Sequence, residues 1–212
     1  MSRFDEERRE LVQQLRERGI TDERVLEAMA KVNRHEFVRQ PFQNRAYEDT
    51  ALPLAAGQTI SQPYTVAFMT QEIAPHAGSK ILEIGTGSGY QAAVLAELEC
   101  HVFTIERQME LFLAARKTFT RCGYKIQTRY GDGTIGWSEH APYDGIMVTA
   151  AAPQIPETLL KQLGVGGRLV IPIGDKEVQS VVIVQNTPEG YTRREVAGFK
   201  FVPLIGKQGW NK

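Results

Sequence analysis

The chain has 212 residues, 42% of them hydrophobic, and its 25 basic residues are matched by 25 acidic ones. That length suits one α/β domain with a large core, and the even charge without a Lys/Arg block argues against nucleic acid as the main partner. No apolar run approaches the roughly 20 residues that span a bilayer, and the charged opening MSRFDEERRE is no signal region, so a cytoplasmic protein with no membrane partner is expected.

The first predicted helix covers 4–18, with Leu11, Val12 and Leu15 on one side and Gly19 as its stop. Thr21 is placed to cap a second helix, whose first turn holds Asp22 and Glu23 and whose packing face is Val25, Leu26, Met29 and Val32. Periodicity fades over 33–56, where Pro41, Asn44, Asp49 and Pro53 interrupt the chain. A long irregular stretch in a compact domain is usually functional, and Phe37, Phe42 and Tyr47 give it the means to pack down. Arg34 lies within reach of a site there; His35 is given no role.

Next comes GQTISQP, with Pro63 in the first turn of a helix over 64–73 and Ser61 at an N-cap position. Ser61 is either a cap or a hydroxyl facing a substrate carboxylate. The two readings are compatible, since a helix start draws anions in either case.

The stretch KILEIGTGSGYQAAVLAEL, 80–98, reads as strand, glycine turn, helix. Gly85, Gly87 and Gly89 let the chain turn sharply and a ligand approach the backbone, while Ser88 is placed to cap the helix. The spacing is G-x-G-x-G, with Tyr90 where a dinucleotide fingerprint has its third glycine, so a nucleoside with a smaller anion suits it better than a pyrophosphate. Glu106 ends the next strand, 101–106, about 20 residues beyond the first glycine, where an acid accepts from ribose hydroxyls. Gly131-Asp132-Gly133 closes a third strand over 125–130, and Asp132 either accepts from an adenine amino group or shapes a turn. Three such features at successive strand ends point to one crevice along the carboxyl edge of a sheet.

A helix over 109–122, a strand over 143–149, a helix from Pro156 to near 164 and a strand over 168–173 follow. Runs 179–185 and 191–205 predict an antiparallel edge hairpin. The fold expected is a Rossmann-like, mostly parallel seven-stranded sheet with helices on both faces, a single domain over 1–212 with its first 75 residues packed on the core. Asp144 starts its strand at the end opposite the crevice and reads as structural. Cys100 and Cys122 sit in no metal-ligand spacing, and no metal is expected.

LEIGTGSGY, an acid ending the following strand, GDG and PYDGIMV resemble the S-adenosylmethionine-dependent methyltransferases of the Rossmann-like class I. LPLAAGQTISQPYTVAFM and the later FVPLIG are similar to one family within it, protein-L-isoaspartate (D-aspartate) O-methyltransferase. The resemblance implies S-adenosylmethionine as cofactor, released as S-adenosylhomocysteine, with Thr59, Ile60, Glu83, Gly85, Thr86, Gly87, Ser88, Gly89, Glu106, Gly131, Asp132 and Gly133 about it, and Ser61 as the active-site residue. It implies methylation of the free α-carboxyl of L-isoaspartyl residues in damaged proteins and peptides, the ester then closing to a succinimide. Tyr64 departs from the histidine of some members and takes no role, and the chain beyond Ile205 departs from eukaryotic members. After the 143–149 strand comes Ala-Ala-Pro-Gln rather than the polar motif of amine methyltransferases, which disfavours N-methylation. Val202 and Pro203 either line the substrate rim or pack as strand. The enzyme is expected to act as a monomer.

Overall fold

The computed structural model describes residues 3–175 and 177–211. Two helices open the fold, α1 (Arg3–Glu17) and α2 (Glu23–Lys31), burying Leu11 and Leu15 from the first and Val25, Leu26 and Met29 from the second. The cap of α2 is Asp22 rather than Thr21: its carboxylate accepts from the Arg24 amide, while the Thr21 and Asp22 amides both donate to the Gln71 side chain. An aspartate offers a charged acceptor to the helix start, and the Thr21 hydroxyl is turned instead to donate to Gln71 Oε1 (3.3 Å).

Two 3₁₀ turns, Arg34–Phe37 and Gln40–Arg45, lead into a two-residue antiparallel ladder of β1 (Leu52–Pro53) and β2 (Thr59–Ile60). Helix α3 (Pro63–Ile73) follows at once. Its start is not capped by Ser61. The flanking residue is Gln62, and the Tyr64 amide donates to Asp49 Oδ1 (2.8 Å), a carboxylate from 15 residues earlier.

The remaining elements alternate: β3 (Lys80–Ile84), α4 (Tyr90–Glu97), β4 (His101–Glu106), α5 (Met109–Cys122), β5 (Gln127–Tyr130), β6 (Tyr143–Val148), α6 (Glu157–Leu160), β7 (Leu163–Gly174), β8 (Gln179–Thr187) and β9 (Gly190–Phe199). Among the described residues the main sheet has seven strands in the order β5-β4-β3-β6-β7-β8-β9, parallel from β5 to β7 and antiparallel beyond. The class expected from the alternation is therefore the one found. α6 is shorter than its predicted span, because β7 begins at Leu163 and claims the residues that follow. The last strand stops at Phe199, not 205. Residues 200–205 leave the sheet edge and return to its middle, where Pro203 bridges Ala151 and the Ala151 amide donates to Val202 O (2.8 Å).

The chain winds outward one way through β4 and β5, then restarts beside β3 with β6. Open parallel sheets place a crevice at such a switch, outside the carboxyl ends of the strands. Adjacent residues of β3 face opposite layers: Ile81 joins a cluster built with α1 through α5, and Leu82 joins one closed by α6, the Trp137 region and Leu204. Helices thus lie on both faces, unevenly.

Candidate active site

The glycine loop forms one wall of a cleft at the switch point. Gly85 leaves β3 at φ +97°, and a Cβ there would stand 2.5 Å from Thr149 Oγ1. That hydroxyl donates to Gly85 O (2.7 Å), so β3 and the end of β6 are drawn too close for any side chain between them. Gly89, at φ +90°, instead backs onto Phe119, where a Cβ would meet ring atoms at 2.5 Å. Its role is to let α5 close on α4, and Gly89 is not on the cleft wall. Ser88 Oγ accepts from the first amide of α4, that of Tyr90 (3.2 Å), and the Gly89 amide donates to Thr86 O (2.8 Å). These amides at the helix start are thus engaged inside the loop.

The cleft encloses about 920 Å³ counted out into open solvent. Thr59, Ile60, Ser61, Gly85, Thr86, Gly87, Ser88, Glu106 and Gly133 lie on its walls; Glu83, Gly89, Gly131 and Asp132 do not. Glu106 is only 5% exposed, and its carboxylate is fixed by two backbone donors, Gly87 N–H to Oε2 (2.9 Å) and Gln108 N–H to Oε1 (2.8 Å). A carboxylate held this way still has lone pairs for hydroxyl donors in the cleft.

Glu83 sits one layer below. It is fully buried; Thr104 donates to its Oε2 (2.5 Å), the Thr104 and Thr86 hydroxyls meet at 2.6 Å, and its Oε1 has no partner. Burial pushes its pKa up to about 8, against the pull of Thr104, and the nearby Glu106 charge raises it further. Asp132 faces away from the cleft. Its Oδ1 accepts from the Thr134 amide and hydroxyl, and its Oδ2 from the Lys207 amide (2.8 Å). Burial alone would raise its pKa; the Lys207 amide and the Thr134 hydroxyl and amide together hold it below the usual value. Asp132 thus ties the returning C-terminal segment to the sheet, and that segment brings Val202, Pro203, Leu204 and Ile205 over the cleft.

A second, more polar cleft of about 1110 Å³ adjoins the first. Arg18, Asp49, Tyr64, Phe199 and Lys200 are among its walls. Arg18 pairs with Asp49 and lies over the Tyr64 ring, 3.9 Å from its centroid. Four residues belong to both clefts: Thr59, Ser61, Thr149 and Val202. The Ser61 carbonyl accepts from the buried guanidinium of Arg34 (2.9 Å), while its hydroxyl has no hydrogen-bond partner among the described residues.

A family model described as Protein-L-isoaspartate(D-aspartate) O-methyltransferase (PCMT) matches residues 6–209. The chain belongs to this family. The protein-L-isoaspartate O-methyltransferase 1 of Syntrophobacter fumaroxidans is 52% identical over 212 residues, 99% of each chain, and the enzyme of that name from Chlorobium phaeobacteroides is 52% identical over 204 residues, 96% of this chain and 94% of that one. A solved protein-L-isoaspartate O-methyltransferase superposes with TM-score 0.87 at 28% identity, covering 95% of this chain and 67% of its own. A candidate enzyme of that name from Plasmodium falciparum, solved in complex with S-adenosyl-L-homocysteine, superposes with TM-score 0.82 over 93% of this chain and 98% of its own; at 23% identity it speaks for the fold alone.

Two cleft residues, Thr149 and Asp49, are not singled out as site residues by the sequence, and Arg34, expected within reach of a site, touches Ser61 without lining either cleft. Thr149 follows β6 at the same sheet edge as Gly85 and Glu106, so the strand-end rule reaches it once the strand is drawn. Asp49 and the Arg34 contact depend on loop geometry. His35 stacks on Phe4 (4.2 Å between centroids) and meets the Tyr47 hydroxyl (2.8 Å); it lines neither cleft.

Proposed function

We propose that the first cleft holds S-adenosylmethionine and the second an isoaspartyl peptide, with Ser61 at their junction. The reaction is methyl transfer to the free α-carboxyl of an L-isoaspartyl residue, the step that opens repair through a succinimide. The observation that carries the assignment of sites is the shared wall of Thr59, Ser61, Thr149 and Val202, which lets two ligands meet at one hydroxyl without a partner of its own.

The first cleft fits the cofactor on its own features: a glycine loop, Gly85 to Gly87, whose backbone lines the wall, and a fixed carboxylate at Glu106 for ribose hydroxyls. When bound, the cofactor supplies a methyl group on a sulfonium cation, in a displacement that leaves a neutral thioether. The protein's part is placement. An α-carboxyl, pKa about 3.5, is ionised at neutral pH and needs no base. Ser61 Oγ–H donates to one carboxylate oxygen and leaves the other free to attack. Opposite charges cancel as the new bond forms. Alignment of two reactants in this way is worth about 7–11 kcal/mol over free encounter. Arg18 and Lys200 give the second cleft positive charge suited to a carboxylate.

Around this site we read the chain as one domain acting as a cytoplasmic monomer on isoaspartyl proteins and peptides, without nucleic acid or membrane. No described helix is long and apolar enough to cross a membrane, and the formal charge is zero. The test is a pair of peptides differing only in an isoaspartyl or aspartyl linkage: methyl incorporation into the first alone is expected, and equal incorporation into both refutes the substrate. Ser61→Ala should lower turnover at saturating peptide about 10–100-fold, the effect of a lost hydrogen bond to a charge. Unchanged turnover removes Ser61 from the reaction.

A further inference from the structure

Arg34 carries a buried charge to which no carboxylate is bonded among the described residues, Asp49 being its nearest answering charge. It follows α2, is 0% exposed, and forms no ion pair among the described residues. Its donors go to backbone: Nε to Ala46 O (2.8 Å), Nη2 to Ser61 O (2.9 Å) and, at the limit of a hydrogen bond, to Thr50 O (3.5 Å). Nη1 has no partner. One face of the guanidinium lies over the Tyr90 ring, 4.7 Å from its centroid, and Tyr90 lines the first cleft. A buried cation without a bonded counter-charge is among the least favourable groups in a fold, and an apolar side chain of similar volume is commonly the more stable choice. The group is therefore unexplained by stability alone.

The contacts supply an explanation. The fork joins residues 46 and 50 to residue 61, and the strand ladder between these stretches among the described residues is the two-pair β1–β2 bridge. Asp49 ties the chain just beyond Ser61, accepting from Gln62 Nε2 and from the Tyr64 amide, but the Ser61 carbonyl itself is held by Arg34. The charges about it are Asp49 and, through Asp49, Arg18, so the cluster of two cations and one anion leaves net positive charge beneath the junction. We propose that Arg34 is a positioning residue for methyl transfer: its guanidinium holds Ser61 by the carbonyl at the meeting point of the two clefts and biases that point toward an anionic acceptor. The proposal rests on the reading of Ser61 given above.

A double-mutant cycle tests it. Arg34→Lys keeps the charge but cannot span both Ala46 O and Ser61 O. In the otherwise native enzyme it should lower kcat for an isoaspartyl peptide about 10-fold or more, since misplacement by an ångström is enough for about 100-fold. S-adenosylhomocysteine affinity by calorimetry should stay within about twofold. In a Ser61→Ala background the same substitution should cost less than about twofold, because coupled residues are not additive. An equal fall in both backgrounds, or a loss confined to cofactor affinity, overturns the proposal and leaves Ser61 standing. Full activity of Ser61→Ala by itself refutes the Ser61 reading and the proposal with it. If circular dichroism shows the lysine variant unfolded, Arg34→Gln, which buries no charge and keeps a single donor nitrogen in place of the fork, enters the same cycle with the same expected and refuting results.

Discussion

Replacing Glu106 by alanine separates two functions of one carboxylate. In the protein it accepts from the Gly87 and Gln108 amides at 2.9 and 2.8 Å and is 5% exposed. Alanine leaves both amides to find water or nothing, at about 1–3 kcal/mol each if they stay buried, so the fold should lose roughly 2–6 kcal/mol. The Gly87 amide belongs to the loop that must hold its shape for any ligand, and in the proposed site the carboxylate is the acceptor offered to ribose hydroxyls. A hydrogen bond to a charged group is worth about 1.5–3 kcal/mol, so cofactor affinity should fall about 10–150-fold. Titration calorimetry with S-adenosylhomocysteine, on protein shown folded by thermal melting, gives the number. Turnover at saturating cofactor should change far less than the dissociation constant, because Glu106 lies on the first cleft only. Unchanged affinity refutes the ribose role. A fall in turnover matching that of Ser61→Ala, with affinity intact, would refute the separation of the two clefts' tasks.

Gly89→Ala should destabilise the protein by about 2–5 kcal/mol, from a side chain in the left-handed region and a Cβ 2.5 Å from the Phe119 ring; a melting midpoint lowered by less than roughly 4 °C would contradict this packing role. Glu83 should make stability fall with pH: below the ordinary carboxylate range both folded and unfolded chains hold the proton, between there and about 8 only the folded chain does, and stability declines across that window before levelling off. Urea unfolding from pH 5 to 9 should show that decline in the native protein and not in Glu83→Gln, and parallel curves would place the proton elsewhere.

The sheet was readable in the sequence because its central strands are short apolar runs bounded by glycine or charge. Ile81-Leu82-Glu83-Ile84 is flanked by Lys80 and Gly85, and Gly145 to Val148 pairs with it in register. The glycine loop and Glu106 were readable for the same reason: their spacing is local, and one strand–turn–helix unit fixes it. What escaped was set by partners distant in sequence. Ser61 occupies a cap position by pattern, yet Asp49 supplies the α3 start from 15 residues back. Thr21 loses its cap role to Asp22, its hydroxyl turned to Gln71, 50 residues on. Residues 191–205 continue as β-branched and aromatic residues, but β8 runs out of partners at Gln179↔Phe199. From there Ala151, Asp132 and Thr134 recruit the chain to the cleft through Leu204, Lys207, Gln208 and Trp210. No periodicity encodes such a return.

The composition of the two clefts bears on the choice of acceptor atom. Their ionisable walls are Glu106, held by two amides; Asp49, paired with Arg18; the cations Arg18, Arg107 and Lys200; and the phenols Tyr64 and Tyr90. Burial pushes the Tyr90 phenol up to about 12, which leaves it protonated at neutral pH. The four histidines, at positions 35, 76, 101 and 140, line neither cleft, and burial raises the Cys100 thiol to about 12. A hydroxyl or ammonium acceptor entering here would have to shed a proton to groups that are already bonded or hold their own proton too firmly. A carboxylate arrives without one. It needs a donor for one oxygen, an unobstructed line for the other and a positive surround, the three things that the proposed junction at Ser61, Thr149 and Val202 has to supply. On that proposal, specificity for an acid follows from what the walls can accept as much as from what they donate.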